Sequence, residues 1–347
     1  VNILTLETTC DETAAAVVTD RLEVLGAALA SQHELHRRFG GVVPEIASRA
    51  HVESILPVID EALAQSGLRL DQLGAVAVAN TPGLAGSLLV GLAAAKSLAV
   101  ALGIPLVAVN HLQAHIYACR IAAGADIFPC IGLIVSGGHS SLYRCLGPLD
   151  FTRLGGTIDD AAGEAFDKVA SMLGLPYPGG PAIEAAARGG NPRAYAFPRA
   201  FIRDPDRLDF SFSGLKTAVR YAICPPGSAG PVGPLAPQML ADLAASFQAA
   251  VVDSLVAKAL VALERTGASR LCIGGGVAAN MALRERLATE CQRRGIELHV
   301  PPVNLCTDNA VMGAIAVERL KAGLTESLGL DAYPAVSGCG TPPERGT

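Results

Sequence analysis

The chain has 347 residues, half of them apolar and 17% charged, with a net charge of −5. That is enough apolar material for two domain cores. It excludes a mainly disordered chain, a collagen-like fibre despite 37 Gly and 22 Pro, and a strongly basic nucleic-acid coat.

In chain order, strands are predicted at 2–7, 13–19 and 24–30. A helix follows at 44–65, with Ile46, Ala50, Ile55, Ile59 and Leu63 at helical spacing. Then come a strand at 74–79, a helix at 84–101, a strand at 105–109 and a helix at 111–122. The second half opens with strands at 130–135, 141–146 and 151–154. Helices at 163–173 and 237–266 follow, then a strand at 270–273, a helix at 281–294, a strand at 296–300 and a helix at 309–322. Each half reads β-β-β-α-β-α-β-α, with no visible sequence repeat. The expected organisation is an N-terminal lobe, 1–125, and a C-terminal lobe, 126–325, with a helical insertion at about 176–237 and an irregular tail, 326–347. Two such α/β lobes are expected to place a ligand cleft between them, lined by turns at strand ends. The Pro/Gly stretch 227–237 reads as a mobile loop or insertion.

The start of the chain shows no basic n-region, so no signal peptide is expected. The most apolar stretch, 84–109, is interrupted by Lys96 and Pro105, so no spanning helix and no membrane are expected. The nine cysteines are scattered and never spaced C-x-x-C, which reads as a reduced, cytosolic protein without a cysteine zinc site.

His111 and His115 are four apart on a helix that begins directly after a strand. Both imidazoles then share one face, which suits a metal; packing at a helix start is the other use of such a pair. The residues between them are Leu-Gln-Ala, so the Glu of the zinc-protease pattern H-E-x-x-H is missing. Asp308, at the start of the last helix, fits as a third ligand or as an ordinary N-cap. Two histidines and a carboxylate with open positions suit Fe(II) or Zn(II).

Two Gly-rich turns follow apolar strands, Val135-Ser-Gly-Gly-His139 and Ile273-Gly-Gly-Gly-Val277, the second leading to Asn280 at a helix start. Such turns let backbone N–H groups approach phosphate, and together they point to a nucleotide site. Neither matches a P-loop or a dinucleotide fingerprint. Around the helix at 163–173, Asp159 and Asp160 read as helix-start charges, and Asp167 as a hydrogen-bonding group for a ribose or polar substrate. Asp11 and Glu12 read as groups orienting a phosphate-bound metal or a water, or as a solvated turn. Gly180 lies in a Pro/Gly turn that leads into a helix with Glu184. Phe210-Ser-Phe-Ser213-Gly-Leu-Lys216 reads as a polar-aromatic cleft wall, and Glu45 with Arg49 as a surface ion pair or a functional face.

Taken together, these motifs resemble the TsaD family, the bacterial tRNA N6-adenosine threonylcarbamoyltransferases once grouped as O-sialoglycoprotein endopeptidases. The resemblance runs from Asn2 to about Ala322. It is carried by Glu7-Thr-Thr-Cys-Asp-Glu-Thr13, Gly40-Gly-Val-Val-Pro-Glu-Ile-Ala-Ser-Arg-Ala-His51, Asn110-His-Leu-Gln-Ala-His115 and Val135-Ser-Gly-Gly-His139, with Phe210-Ser-Phe-Ser-Gly-Leu-Lys216, Gly274-Gly-Gly-Val-Ala-Ala-Asn280 and Thr307-Asp-Asn309. Thr9 and Ser140 depart from the family's frequent Ser and Thr, and each keeps a hydroxyl.

The resemblance implies a duplicated actin-like ATPase fold. It also implies transfer of threonylcarbamoyl from threonylcarbamoyl-AMP to N6 of adenosine 37, in tRNAs reading codons that begin with A, with release of AMP. By resemblance His111, His115 and Asp308 hold one metal ion, usually assigned as iron. Ile134, Val135, Ser136, Gly137, Gly138, Asp167, Gly180 and Asn280 match the family's substrate positions, and Glu184 stands near an Asp of some relatives. Implied partners are tRNA, a TsaB-like paralogue and a TsaE-like ATPase, in the cytoplasm. No catalytic residue is assigned; Glu12 and His139 are candidates for taking the N6 proton. The rival expectations are a nucleotide-dependent ATPase or kinase on the same fold, a metallopeptidase and a non-catalytic scaffold.

Overall fold

The computed structural model describes residues 1–225 and 235–334. Most of the stretch expected as a loop at 227–237, and the tail beyond 334, lie outside the described residues. The chain divides into two compact units. One holds Val1–Gly124 with the segment from Asp308 onward, the other Ala125–Thr307.

The first unit contains β1 (Asn2–Glu7), β2 (Glu12–Thr19), β3 (Val24–Ser31), α1 (His33–Arg37), α2 (Pro44–Ser66), β4 (Ala75–Thr81), α3 (Ala85–Leu102), β5 (Leu106–Asn110) and α4 (His111–Ala123). The second contains β6 (Cys130–Val135), β7 (Ser140–Gly147), β8 (Asp150–Gly156), α5 (Ala162–Met172), α6 (Gly179–Ala186), α7 (Ser213–Ile223), α8 (Pro237–Thr266), β9 (Arg270–Gly274), α9 (Met281–Arg294) and β10 (Glu297–His299). The last helix, α10 (Ile315–Lys321), belongs to the first unit.

The doubled element order is reproduced in the sheets. The first runs β3-β2-β1-β4-β5 and the second, read from the same end, β8-β7-β6-β9-β10. In each, three consecutive strands pair antiparallel and two more join in parallel after a helical crossover. The central strands β1 and β6 are almost continuously buried because both their faces are covered, and β6 is apolar throughout. Glycines in the left-handed region close α2, α3, α4, α8 and α9, so each crossover turns sharply toward its next strand. Both α3 and α8 are long and apolar enough to span a bilayer by length and composition. Here α3 packs on β4 and α2, and α8 on α6, α9 and β6.

One expected boundary is corrected. The second lobe does not run to 325, because the segment from Asp308 returns to the first unit. Gly313 lies so close to Thr5 that a Cβ there would be 2.9 Å from the Thr5 Cβ. The Thr5 hydroxyl donates to the Ala310 carbonyl at 2.6 Å. Arg120 on α4 pairs with Glu318 on α10 at 2.9 Å. Beyond α10 the irregular residues remain docked: Glu326 N–H donates to Leu106 O at 2.8 Å, and Leu330 joins the first core. The buried run 310–317 drives this return, since it must cover apolar surface somewhere, and element order alone does not say where.

The core of the second unit centres on α8. Phe247 is fully buried and meets Phe166 of α5 edge-to-face, with centroids 5.2 Å apart. Replacing Phe247 with Ala is expected to destabilise the protein by about 3–5 kcal/mol, read as a lower urea midpoint. A loss below about 1 kcal/mol would mean that this ring is not the keystone of the α5–α8 contact.

Candidate functional site

In the first unit, β1 ends on Glu7 and the turn 8–11 leads into β2. Next to it, β5 hands over directly to α4. Asn110 caps α4 by accepting from the N–H groups of Leu112 and Gln113 at 3.0 and 3.2 Å. That cap fixes the first turn of α4, so His111 and His115 project from one face with ring centroids 4.8 Å apart. Asp308 meets both: its Oδ1 is 3.5 Å from His111 Nε2 and 3.4 Å from His115 Nε2. The N-cap role open to Asp308 is filled by Asn309, whose side chain accepts from Met312 N–H at 3.2 Å. Asp308 is thereby left to face the histidines.

Both rings are buried. Burial resists charge on His111, but the Asp308 and Glu7 carboxylates outweigh it and push the pKa up to about 9. Glu7 Oε2 accepts from His111 Nδ1 at 3.1 Å, with the Thr9 hydroxyl at 3.2 Å, and Glu7 Oε1 accepts from Thr9 N–H at 2.7 Å. Burial lowers the pKa of His115 despite Asp308; among the described residues Nδ1 has no hydrogen-bond partner, and Nε2 meets only Asp308 Oδ1, at 3.4 Å.

These residues fit a metal ion. Three donors of types N, N and O face one another, within 4.8 Å. An ion held at roughly 2.0–2.2 Å by each would set neighbouring donors about 3.0–3.5 Å apart, the separation at which Asp308 stands from both rings. A buried imidazole whose nitrogens make no good hydrogen bond is costly unless something binds it. Glu7, 3.1 Å from His111 Nδ1, stands where an outer carboxylate would orient that ring for an ion at Nε2.

Asp11 and Glu12 are buried, not a solvated turn. His33 Nε2 lies 3.2 Å from Glu12 Oε1 and 3.7 Å from Asp11 Oδ2. Burial, opposed by His33 and reinforced by Asp11 and Asp308, pushes the Glu12 carboxyl up to about 8. Below the turn, His51 Nε2 donates to Cys10 O at 3.0 Å and its Nδ1 accepts from the Thr13 hydroxyl at 2.8 Å. Arg49 pairs with Glu53 at 3.3 Å, not with Glu45, and both ends are exposed.

In the second unit the other predicted site residues form a closed ring of contacts. The turn after Ile134 and Val135 is pinned by Ser136 N–H donating to His139 O at 2.8 Å. The start of α5 lies against it: a Cβ on Gly163 would stand 2.5 Å from Ser136 O. One turn on, Asp167 accepts from Gly179 N–H at 2.7 Å, which sets Gly180 at the head of α6. From α6, Glu184 accepts from Met281 N–H at 2.8 Å, beside Asn280. Asn280 caps α9 through Leu283 N–H at 3.0 Å and donates to Gln248 at 2.9 Å. The ring closes at Gly275, with φ +89°, where a Cβ would stand 2.3 Å from Val135 O. Gly137, Gly138 and Gly180 have open space where a Cβ would project. A ligand can approach their backbone N–H groups directly.

Asp159 and Asp160 are more than helix-start charges. Asp159 accepts from the hydroxyls of Ser211 and Ser213 and the N–H groups of Phe212 and Ser213. Asp160 pairs with Lys168 and Lys216, each at 2.7 Å. Together they clamp the 210–216 segment.

Sequence reasoning named Glu7 only inside a motif and assigned no role to Thr9, His33 or His51. A carboxylate directly after Leu6 at the end of a strand was the available signal for Glu7; the partners of His33 and His51 exist only in three dimensions.

Two sheets with the same strand order, each with three antiparallel and two parallel strands, define a duplicated actin-like ATPase fold. Solved structures agree. Full-length HypF in the phosphate- and nucleotide-bound form aligns with TM-score 0.62 at 16% identity, over 93% of this chain and 56% of that one. The activator of the 2-hydroxyisocaproyl-CoA dehydratase from Clostridium difficile aligns with TM-score 0.53 at 12% identity, over 93% and 97%. At such identities the likeness concerns the fold.

The family of the chain follows from closer relatives. The TsaD profile, tRNA N6-adenosine threonylcarbamoyltransferase, matches residues 23–315. A tRNA N6-adenosine threonylcarbamoyltransferase of Rhodopirellula baltica is 55% identical over 96% of both chains. One of Anaeromyxobacter dehalogenans (strain 2CP-1) is 52% identical over 96% of this chain and 98% of that one. The chain belongs to the tRNA N6-adenosine threonylcarbamoyltransferase family and is an enzyme of that kind, acting in threonylcarbamoyladenosine synthesis on tRNA.

Two predictions follow from the second unit. Gly275→Ala forces a side chain into Val135 O and a left-handed backbone, and is expected to destabilise the protein by roughly 2 kcal/mol or more, seen as a lower Tm. Partial burial opposes the charge on Asp159 and Asp160, yet their donors hold both carboxyls below the usual range. Their stabilisation is then complete above the unfolded value of about 4 and is lost as pH falls through the lower folded values. Asp159→Asn should flatten the acid limb of the Tm–pH profile below about pH 4. An unchanged limb would show that this clamp does not limit acid stability.

Proposed function

We propose that the chain transfers the threonylcarbamoyl group from threonylcarbamoyl-AMP to N6 of adenosine 37 in tRNAs reading codons that begin with A, releasing AMP. His111, His115 and Asp308 hold one divalent ion, Fe(II) by family resemblance, with Zn(II) also suited to the donor set. The observation that carries this reading is the buried convergence of His111 Nε2, His115 Nε2 and Asp308 Oδ1, with Asp308 3.4–3.5 Å from both rings. When bound, the ion supplies Lewis acidity and a hold on the donor.

The N6 amine attacks the carbamoyl carbon. The new C–N bond forms as the C–O bond to phosphate breaks, AMP leaves with the electron pair, and the N6 proton passes to a base or water. The mixed anhydride is already activated, so the protein has chiefly to position the two reactants and stabilise charge. Glu7 keeps the His111 ring oriented through Nδ1, with Thr9 beside it. The open backbone at Gly137, Gly138 and Gly180 suits close approach of a nucleotide phosphate or ribose, and the rigid contacts of Asp167 and Asn280 keep that surface in place. Adenosine 37 lies in the anticodon loop, where an unstacked base edge is reachable. With a net charge of −5, local basic residues or partner subunits must meet the RNA. A TsaB-like paralogue and a TsaE-like ATPase are the proposed partners, and the cytoplasm the proposed location, both by family resemblance.

Mass spectrometry of digested tRNA tests the reading in cells depleted of this protein and rescued with wild type, His115→Ala or Glu7→Gln. Depletion should abolish threonylcarbamoyladenosine and only wild type should restore it fully. His115→Ala protein should lose its metal in elemental analysis, and Glu7→Gln should bind metal roughly 10–100-fold more weakly. An unchanged nucleoside level on depletion, with ADP release in the absence of tRNA, would favour an ATPase instead. Full rescue by His115→Ala would remove the metal from the mechanism.

A further inference from the structure

The segment 33–41 joins β3 to α2, and its two faces differ. The inner face is tied to the turn that carries Asp11 and Glu12. Gln32 N–H donates to Asp11 O at 3.0 Å, and His33 contacts Glu12 at 3.2 Å. Gln32 Oε1 accepts from His36 Nε2 at 3.1 Å, and Gln32 Nε2 reaches His51 Nδ1 at 3.3 Å. His36 Nδ1 in turn accepts from Val43 N–H at 3.3 Å. Gln32, His36 and His51 are all buried. This network leaves the inner face little freedom to move relative to the turn.

The outer face has no such partners. Leu35 and Phe39, one helical turn apart, are 50% and 49% exposed. The Arg38 guanidinium lies 4.7 Å from the Phe39 ring centroid. Arg37 is taken up by Glu34 at 3.2 Å, but Arg38 has no carboxylate partner among the described residues. Gly40, with φ +68°, ends the segment, and neither it nor Gly41 has any atom within 4 Å of where a Cβ would be. An exposed aromatic ring beside an uncompensated guanidinium, with open backbone next to it, therefore projects from an element anchored at the Asp11–Glu12 turn.

We propose that segment 33–41 is the element that reads the tRNA beside the modified base: Phe39 stacks an unpaired anticodon-loop base and Arg38 meets an adjacent phosphate. This rests on the reading that the acceptor adenosine reacts at the His111–His115–Asp308 centre. Phe39 lies six residues beyond His33 and two past the end of α1 at Arg37, so it stands at most about 20 Å from the residue that contacts the Asp11–Glu12 turn. That bound keeps Phe39 within a few nucleotides of a base bound at the turn. Stacking on an aromatic face tolerates any base, as an enzyme serving several tRNAs requires. Two apolar side chains next to an unpaired guanidinium offer too little apolar surface for a stable protein interface, and their charge suits a polyanion.

The test measures tRNA affinity by anisotropy and steady-state transfer, using the enzyme with its partner subunits, for Phe39→Ala, Phe39→Tyr and Arg38→Ala. Phe39→Ala should raise the tRNA Kd and KM on the order of tenfold, with Phe39→Tyr near wild type. Arg38→Ala should reduce the slope of log Kd against log salt by about one. Metal content and Tm should stay as in wild type for all three, since these side chains are exposed. Phe39→Ala and Arg38→Ala both within twofold of wild type for tRNA would overturn the proposal, as would normal tRNA binding with loss of a protein partner. A wild-type enzyme that binds tRNA but transfers no threonylcarbamoyl group would instead refute the underlying reading.

Discussion

Buried negative charge around one hairpin turn is the constraint on which the first unit depends. Glu7, Asp11 and Glu12 are all buried, and Asp308 faces His111 and His115. Carboxylates removed from water must be paired, protonated or bound to a cation. The structure answers with imidazoles: His111 lies between Glu7 and Asp308, His33 lies against Asp11 and Glu12, and the Glu12 carboxyl is pushed toward its neutral form. A cation held by His111, His115 and Asp308, as proposed above, would relieve the same imbalance.

That requirement explains why so much of the unit is devoted to orientation. Asn110 sets the first turn of α4, Glu7 sets the His111 ring, and Asn309 takes the capping duty that would otherwise occupy Asp308. The His51–Gln32–His36 network holds the turn from below and ties segment 33–41 to it. In the second unit the equivalent rigidity comes from backbone packing. Gly163 and Gly275 are glycines because a Cβ at either would collide with the backbone of the 135–137 turn, while Gly137 and Gly138 face open space. The first pair builds the surface and the second leaves it accessible.

The periodic elements were legible because their signals are local. The helix predicted at 237–266 is α8, and the helix at 281–294 is α9. The doubled element order of both halves was legible too, while the strand order within each sheet came from the structure. His111 and His115 were visible as a pair because helical spacing places them on one face. Asp308 was visible only as a candidate with two uses, and the choice between them lay in whether its neighbour Asn309 took the cap. Asp159 and Asp160 looked like helix-start charges because their partners, Ser211, Ser213 and Lys216, lie about fifty residues away.

What the sequence by itself determined is what covalent neighbours control: the elements, their doubled order, the glycine turns, the two histidines on one helix face, and the motif set that marks the family. What only the tertiary structure decided is which distant groups share a buried volume. It returned the segment from Asp308 to the first unit, placed Glu7 behind His111, and set His33 and His51 around the turn 8–12. The physical reason is that burial and charge pairing act through space. Spacing along the chain constrains them only within a helix or strand, so the long-range partners of a carboxylate emerge once the apolar surfaces have chosen how to pack.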